Sequence, residues 1–202
     1  MRVANRVRCT SFPCSDVYHE PYRVPSVDIN PASVTVVMVS EGVPSDPTDY
    51  YYAKGKPLFE ETTVLAFGDA GADVASIRDI LRLGVYLTTA VKCAKRGAGI
   101  GIATIDECSH LLEKEFALFA QVKAYLLMGD VAIRSLNQIA KRQGEPRVVP
   151  SGSTYKIRSG EFHFRGARVF PSYLQAGPSF FIEKTKRKMI AQDIAAALSL
   201  AA

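Results

Sequence analysis

Runs of apolar, β-branched residues alternate along the chain with stretches of helical spacing. Val34–Val39 (VTVVMV) is a β-branched run of the kind a strand shows when both its faces are buried. A polar turn cluster from Ser40 to Asp46 ends it, and residues 46–63 read as loop, with three consecutive tyrosines at 50, 51 and 52. Apolar residues at Val74, Ile77, Ile80 and Leu81 predict a helix over 69–83, stopped by Gly84. Val85–Val91 (VYLTTAV) predicts a second strand, running up to Cys93, and the Gly- and Ala-rich 94–103 reads as loop. Thr104, with Glu107 three residues on, predicts a capped helix from Ile105 to about Leu118. Val122–Met128 (VKAYLLM) predicts a third strand, leading through Gly129-Asp130 into a helix that reaches about Lys141. Residues 143–166 are turn-rich and suit a hairpin around Gly152 and Gly160. Ala167–Phe170 predicts a short fourth strand ending at Pro171-Ser172, and Phe180–Leu200 a final helix, basic at first and alanine-rich after.

Strands alternating with helices point to an α/β fold: a three-layer α/β/α domain around a central four-stranded parallel sheet. The expectation is one domain over 1–202, with 1–33 an irregular arm that something must tie down. In such sheets ligands bind outside the carboxyl ends of the strands. That rule singles out Glu41, Thr89, Gly129 and Phe170 with their neighbours.

Composition sharpens the picture only slightly. At 48% hydrophobic and 22% charged residues the chain reads as ordinary globular protein, and charges interrupt every candidate membrane span. The start, MRVANRVRCTSFPC, lacks the apolar core of a secretory signal, so a cytoplasmic location is expected. A net charge of +5 leans mildly toward polyanionic partners. Lys184, Lys186, Arg187 and Lys188 cluster near the C-terminus, a pattern that suits either a solvated helix face or a phosphate contact. The four cysteines, Cys9, Cys14, Cys93 and Cys108, form two loose pairs, C-x4-C and C-x14-C. Taken alone these suit buried free thiols as well as metal ligands; disulfides do not suit a reducing compartment.

Four segments at the strand ends carry a resemblance. Ser40-Glu41-Gly42-Val43-Pro44, Gly55-Lys56-Pro57-Leu58-Phe59, Thr88-Thr89-Ala90-Val91-Lys92-Cys93 and Phe170-Pro171-Ser172 stand in this order. Together they resemble the GExPG, GxPFVG, TNxVKC and HPS motifs of the uracil-DNA glycosylase superfamily, nearest to its iron–sulfur-containing family 4. The resemblance runs from Cys9 to the last helix. It implies a glycosylase that hydrolyses the N-glycosidic bond of uracil or another deaminated base in DNA, as a monomer that needs no membrane. It further implies a 4Fe-4S cluster held by Cys9, Cys14, Cys93 and Cys108, although the family's N-terminal pair is usually spaced C-x2-C.

In that resemblance Glu41 matches the carboxylate that orients or activates water. Gly42, Thr89 and Phe170 fall on base-binding positions; the family's stacking phenylalanine falls on Leu58, and a one-residue shift brings Phe59 into that role, with Tyr51 and Tyr52 in reserve. Pro171 and Ser172 fall on the loop that presses the minor groove, with Tyr173 or Leu174 as the wedge. Lys184, Lys186 and Arg187 would contact phosphates. Two further departures matter most. Thr89 replaces an asparagine that pairs with the base through a donor and an acceptor. Phe170 replaces a histidine donor, and losing one preorganised donor typically costs about 10²–10³-fold in rate. His163 reads as structural. The alternative expectation is a degenerate member that binds nucleic acid without cutting.

Overall fold

The computed structural model describes residues 1–97 and 99–201. Its centre is a six-stranded sheet. The strands are β1 (Val17–Tyr18), β2 (Val36–Val43), β3 (Val85–Lys95), β4 (Ala124–Met128), β5 (Phe162–Phe164) and β6 (Ala167–Ser172), in the order β1-β3-β2-β4-β6-β5. The pairs β3–β2, β2–β4 and β4–β6 are parallel. The edge strands β1 and β5 run antiparallel to their neighbours, so the sheet is mixed. The expected four-stranded parallel sheet is corrected accordingly. Both added strands are too short, at two and three residues, to show a period in the sequence.

The helices are α1 (Leu58–Asp69), α2 (Ile77–Arg82), α3 (Ile102–Phe116), α4 (Asp130–Arg142), α5 (Thr154–Ile157), α6 (Ser179–Ile182) and α7 (Lys184–Ala201). Alternation along β2 sorts the core. Val36 and Met38 pack with residues of α1, α2 and α7, whereas Val37 and Val39 pack with α3 and α4. All four are fully buried, which is why the run is apolar without a polar face.

Several boundaries differ from the sequence expectation. α1 occupies part of the expected loop 46–63, because its buried face is Thr62, Thr63, Ala66 and Phe67, and two threonines hide the apolar stripe. The helix expected over 69–83 shrinks to α2, with Ser76 accepting from the Asp79 amide as its cap. The expected loop 94–103 begins inside β3 and includes Ala98, which lies outside the described residues. Thr104 sits inside α3 rather than capping it. The hairpin turns at Arg165-Gly166, both with positive φ (50° and 79°), and not at Gly152 or Gly160. The last helix divides at Glu183 into α6 and α7.

The N-terminal arm is built into the fold. β1 pairs with the end of β3, and Val3, Val7, Val17 and Val24 are buried. The terminal ammonium donates to the Ile29 carbonyl at 2.6 Å. Asp16 accepts from the Gly101 amide at 2.6 Å and from the Thr104 hydroxyl, capping α3 from the arm.

Candidate functional site

The carboxyl ends of β2, β3, β4 and β6 lie side by side. Ser40 is in register with Thr89 across β2–β3, and the Gly129 amide after β4 donates to the Ser172 carbonyl of β6 at 3.0 Å. Glu41, one step past Ser40, points the other way along the pleat, toward the start of α4. Its Oε1 accepts from the Val131 amide at 3.5 Å, a long contact at a helix N-terminus, where a carboxylate is favoured. Gly129 makes the room: with φ of +107° it holds a conformation side chains rarely adopt, and a β-carbon there would meet Glu41 Oε1 at 2.5 Å.

On the opposite side of the pleat a closed polar network forms. The Tyr51 hydroxyl and Ser40 hydroxyl are hydrogen-bonded. Gln175, in the loop after β6, donates to Tyr51 at 2.9 Å and to Ser40 at 3.2 Å, and reaches Thr63 at 3.4 Å. All of these residues are buried, and burial pushes the Tyr51 hydroxyl up to about 12. Thr89 is fully buried beside Ser40, and its hydroxyl has no hydrogen-bond partner among the described residues. Phe59, on the first turn of α1, is half-buried with its ring 5.2 Å from that of Tyr51. Thus Phe59, Tyr51, Ser40 and Thr89 form one chain of neighbours, and Glu41, Gly129 and Ser172 another. A β-carbon on Gly42 would lie 3.5 Å from Ile100 and 3.6 Å from the Cys93 carbonyl, at a register shift in β2.

Other predicted residues are committed to the fold. Phe170 is 9% exposed, with the Arg168 guanidinium 4.9 Å from its ring centroid. Pro171 lies beyond the last β5–β6 pair, on the stretch of β6 that keeps only β4 beside it, where a missing N–H is tolerated. The Ser172 hydroxyl donates to Asp193 at 2.6 Å, and Asp193 also pairs with Arg158 at 2.7 Å. Burial is the main reason the Asp193 carboxyl titrates above its ordinary range. Tyr173 lies under the Lys186 ammonium, 5.4 Å from its ring centroid, and Lys186 pairs with Glu183 at 2.6 Å. Arg187 forms an ion pair with Asp69 and lies 4.8 Å from the Phe180 ring centroid. Lys184 is exposed.

Below Thr89 sits a fully buried ion pair, Lys92 with Glu115. Lys92 Nζ also donates to the Thr88 hydroxyl at 2.8 Å and to the Thr89 carbonyl, and Glu115 accepts from Tyr86 at 2.7 Å. The four cysteines line a cavity of about 140 Å³ next to this pair, together with Phe12, Tyr22 and Lys92. Burial pushes the Cys93 thiol up to about 12 and the Cys108 thiol up to about 11, so both are protonated at neutral pH. The expectation of a metal-binding chain is corrected here. Among the described residues no group of three or more His, Cys, Asp or Glu side chains is arranged to hold a metal ion.

Three residues central to this geometry carried no assigned role in the sequence reading. Gln175 had no signal, since it lies in a loop. Glu115 was one of several charges on a helix. Lys92 had one: a lysine inside an apolar strand must find a buried partner. Two larger cavities, about 490 Å³ beside α4 and about 580 Å³ at the opposite end of the sheet, are lined by none of Glu41, Phe59, Thr89 or Phe170. No helix among the described residues is long and apolar enough to cross a membrane. No family model matches the chain, and no curated protein matches it.

Proposed function

We propose that the protein is a DNA glycosylase that removes uracil or another deaminated base, with Glu41 as the carboxylate that orients water or stabilises the sugar cation. The observation that carries this reading is the placement of Glu41. It stands at the carboxyl end of a central strand, beside the start of α4 and in a space that Gly129 leaves free. Breaking an N-glycosidic bond develops positive charge on the sugar, and a fixed carboxylate opposes that charge. The three-layer arrangement of the resembled superfamily agrees with helices lying on both faces of the sheet.

The test is incubation with single-stranded and duplex oligonucleotides holding uracil, hypoxanthine or xanthine, followed by alkali cleavage at abasic sites. Glu41→Gln should slow release about 10²–10⁴-fold with an unchanged melting temperature. An unchanged release rate removes Glu41 from the mechanism.

A second reading, a member that binds nucleic acid without cutting, is favoured by a different observation. Ser40 and Thr89 are fully buried, and Tyr51 and Gln175 close over Ser40, so the strand end offers no open base-reading edge. Binding without base release in the same assay would select it.

A polynuclear core needs thiolates spaced around a volume, not converged on a point. Cys9, Cys14, Cys93 and Cys108 share such a cavity, so they would hold a 4Fe-4S cluster, after losing their protons, and pin the arm to β3 and α3. Iron and acid-labile sulfide near zero in anaerobically purified, folded protein would remove this reading.

A further inference from the structure

Loops run over the surface with their polar side chains in water, but Gln175, in the loop after β6, is fully buried. Groups from three separate parts of the chain meet its carboxamide: Ser40 at the end of β2, Tyr51 in the turn before α1, and Thr63 in α1. The amide nitrogen reaches Tyr51 at 2.9 Å, Ser40 at 3.2 Å and Thr63 at 3.4 Å, and Ser40 can donate back to Oε1 at 3.3 Å. Thr89 is in register with Ser40, so its side chain stands on the same face of the sheet. Its hydroxyl is buried with no partner among the described residues. Apolar side chains fill a core at lower cost than hydroxyls, which lose their water on burial. Here three hydroxyls converge on one carboxamide, with a fourth left over beside Ser40. They do so at the carboxyl end of the strands, where α/β sheets bind ligands.

The stretch that carries Gln175 is short and tethered at both ends. Ser172 before it is bonded to Asp193, and the Gly177 amide after it donates to Thr62 at 3.3 Å. Between these anchors Tyr173, Leu174, Gln175 and Ala176 make no backbone–backbone hydrogen bond among the described residues. Gly177, with φ of +105°, supplies the backbone freedom of a hinge. The hydrogen bonds that keep the stretch down are those of the Gln175 side chain.

We propose that residues 173–176 are a lid, and that Gln175 is the built-in occupant of a site beneath it. With the lid lifted, Ser40, Tyr51, Thr63 and Thr89 face a ligand in place of Gln175. A ligand that replaces a carboxamide carries the same edge, an N–H beside a C=O. On a planar ring able to lie against Phe59, that edge is the amide edge of a nucleobase. The inference rests on the reading above that the strand ends receive a base, and it supplies the step by which a site closed in the free protein opens. Gln175 and the ligand compete for the same hydroxyls, so the affinity of the free protein is reduced by the fraction in which the lid is open.

The experiment titrates free uracil into the full chain by calorimetry, with uracil methylated on both ring nitrogens as the control that has lost its N–H groups. Gln175→Ala removes the competitor and should bind uracil at least about tenfold more tightly than the wild type. The methylated control should gain nothing. Adding Ser40→Ala to Gln175→Ala should abolish the gain. Gln175→Met keeps the volume of the side chain without its donors and acceptor, covers an alanine variant that does not fold, and should gain in the same direction. Uracil affinity no higher in the folded variants than in the wild type overturns the proposal. So does an equal gain for the methylated control, which would mark an apolar hole and not an amide site. Free uracil holds no glycosidic bond, so the two readings separate. Tighter uracil binding by the variants without base release in the oligonucleotide assay leaves the lid standing and removes excision; base release without that gain removes the lid alone.

Discussion

Gly129 and Glu41 are packed so closely that a β-carbon on the first would lie 2.5 Å from Oε1 of the second. The residue after β4 thus determines where the carboxylate after β2 can sit. Gly129→Ala would push Glu41 away and also force alanine into a φ of +107°. It should destabilise the protein by more than about 1 kcal/mol in urea denaturation. Any activity that depends on Glu41 should fall further than the folded fraction does. An alanine variant with native stability would show that the strand end relaxes freely.

The Lys92–Glu115 pair lies wholly inside the protein. Lys92→Met leaves Glu115 with an uncompensated buried charge and should cost about 3–5 kcal/mol. The double variant Lys92→Met, Glu115→Gln removes both charges while keeping an acceptor for Tyr86. It should recover at least about half of that loss. Chemical denaturation of the three proteins checks it, and equal losses in the single and double variants would mean that Lys92→Met leaves no uncompensated charge on Glu115.

Tyr51 holds its proton to about pH 12, because burial disfavours the tyrosinate. Its folded value lies above the ordinary value of 10.0, so the stability it contributes is complete below about pH 10 and is lost as pH climbs toward 12. Tyr50, Tyr52 and Tyr86 are shifted the same way by burial. Tyrosinate absorbance in an alkaline titration should therefore rise late and together with unfolding. Tyr51→Phe should cost about 1–3 kcal/mol at neutral pH, since it leaves Ser40 and Gln175 short of a partner. It should also flatten the alkaline loss.

Asp16 titrates below the ordinary range, first because of its hydrogen bond from Thr104 and also because of the Gly101 amide. A lowered carboxylate contributes stability above the ordinary value of 3.8 and loses it as pH falls through the folded value. Protection of the Gly101 amide, taken relative to its intrinsic exchange rate at each pH, should fall at acid pH in the wild type. In Asp16→Asn that protection should already be low at neutral pH, and the arm near β1 should loosen with it. Equal protection in both proteins would show that the arm is held without this cap.

The order of the central elements was legible because apolar β-branched runs and helical spacing are one-dimensional signals. Val36 to Val39, Val85 to Val91 and Ala124 to Met128 announce buried strands in their composition alone. The strand ends were legible too, since turn residues follow the runs, and this put Glu41 and Thr89 at the carboxyl ends of their strands; that their side chains face opposite sides of the sheet was not legible. α1 was not legible, because Thr62 and Thr63 bury hydroxyls where a helix pattern normally shows apolar carbon. The edge strands were not legible, because pairing partners for two or three residues lie far away along the chain.

What the sequence determined by itself was the α/β class, the run of central strands and the candidate residues at their ends, because burial leaves its period in the residue order. Tertiary structure decided which of those residues remain available. Ser172 is spent on Asp193, Arg187 on Asp69 and Lys186 on Glu183, while Ile182 and Lys184 are left facing solvent. Availability depends on partners that are distant in the chain, and a linear pattern carries no record of which charges and hydroxyls meet when the layers close.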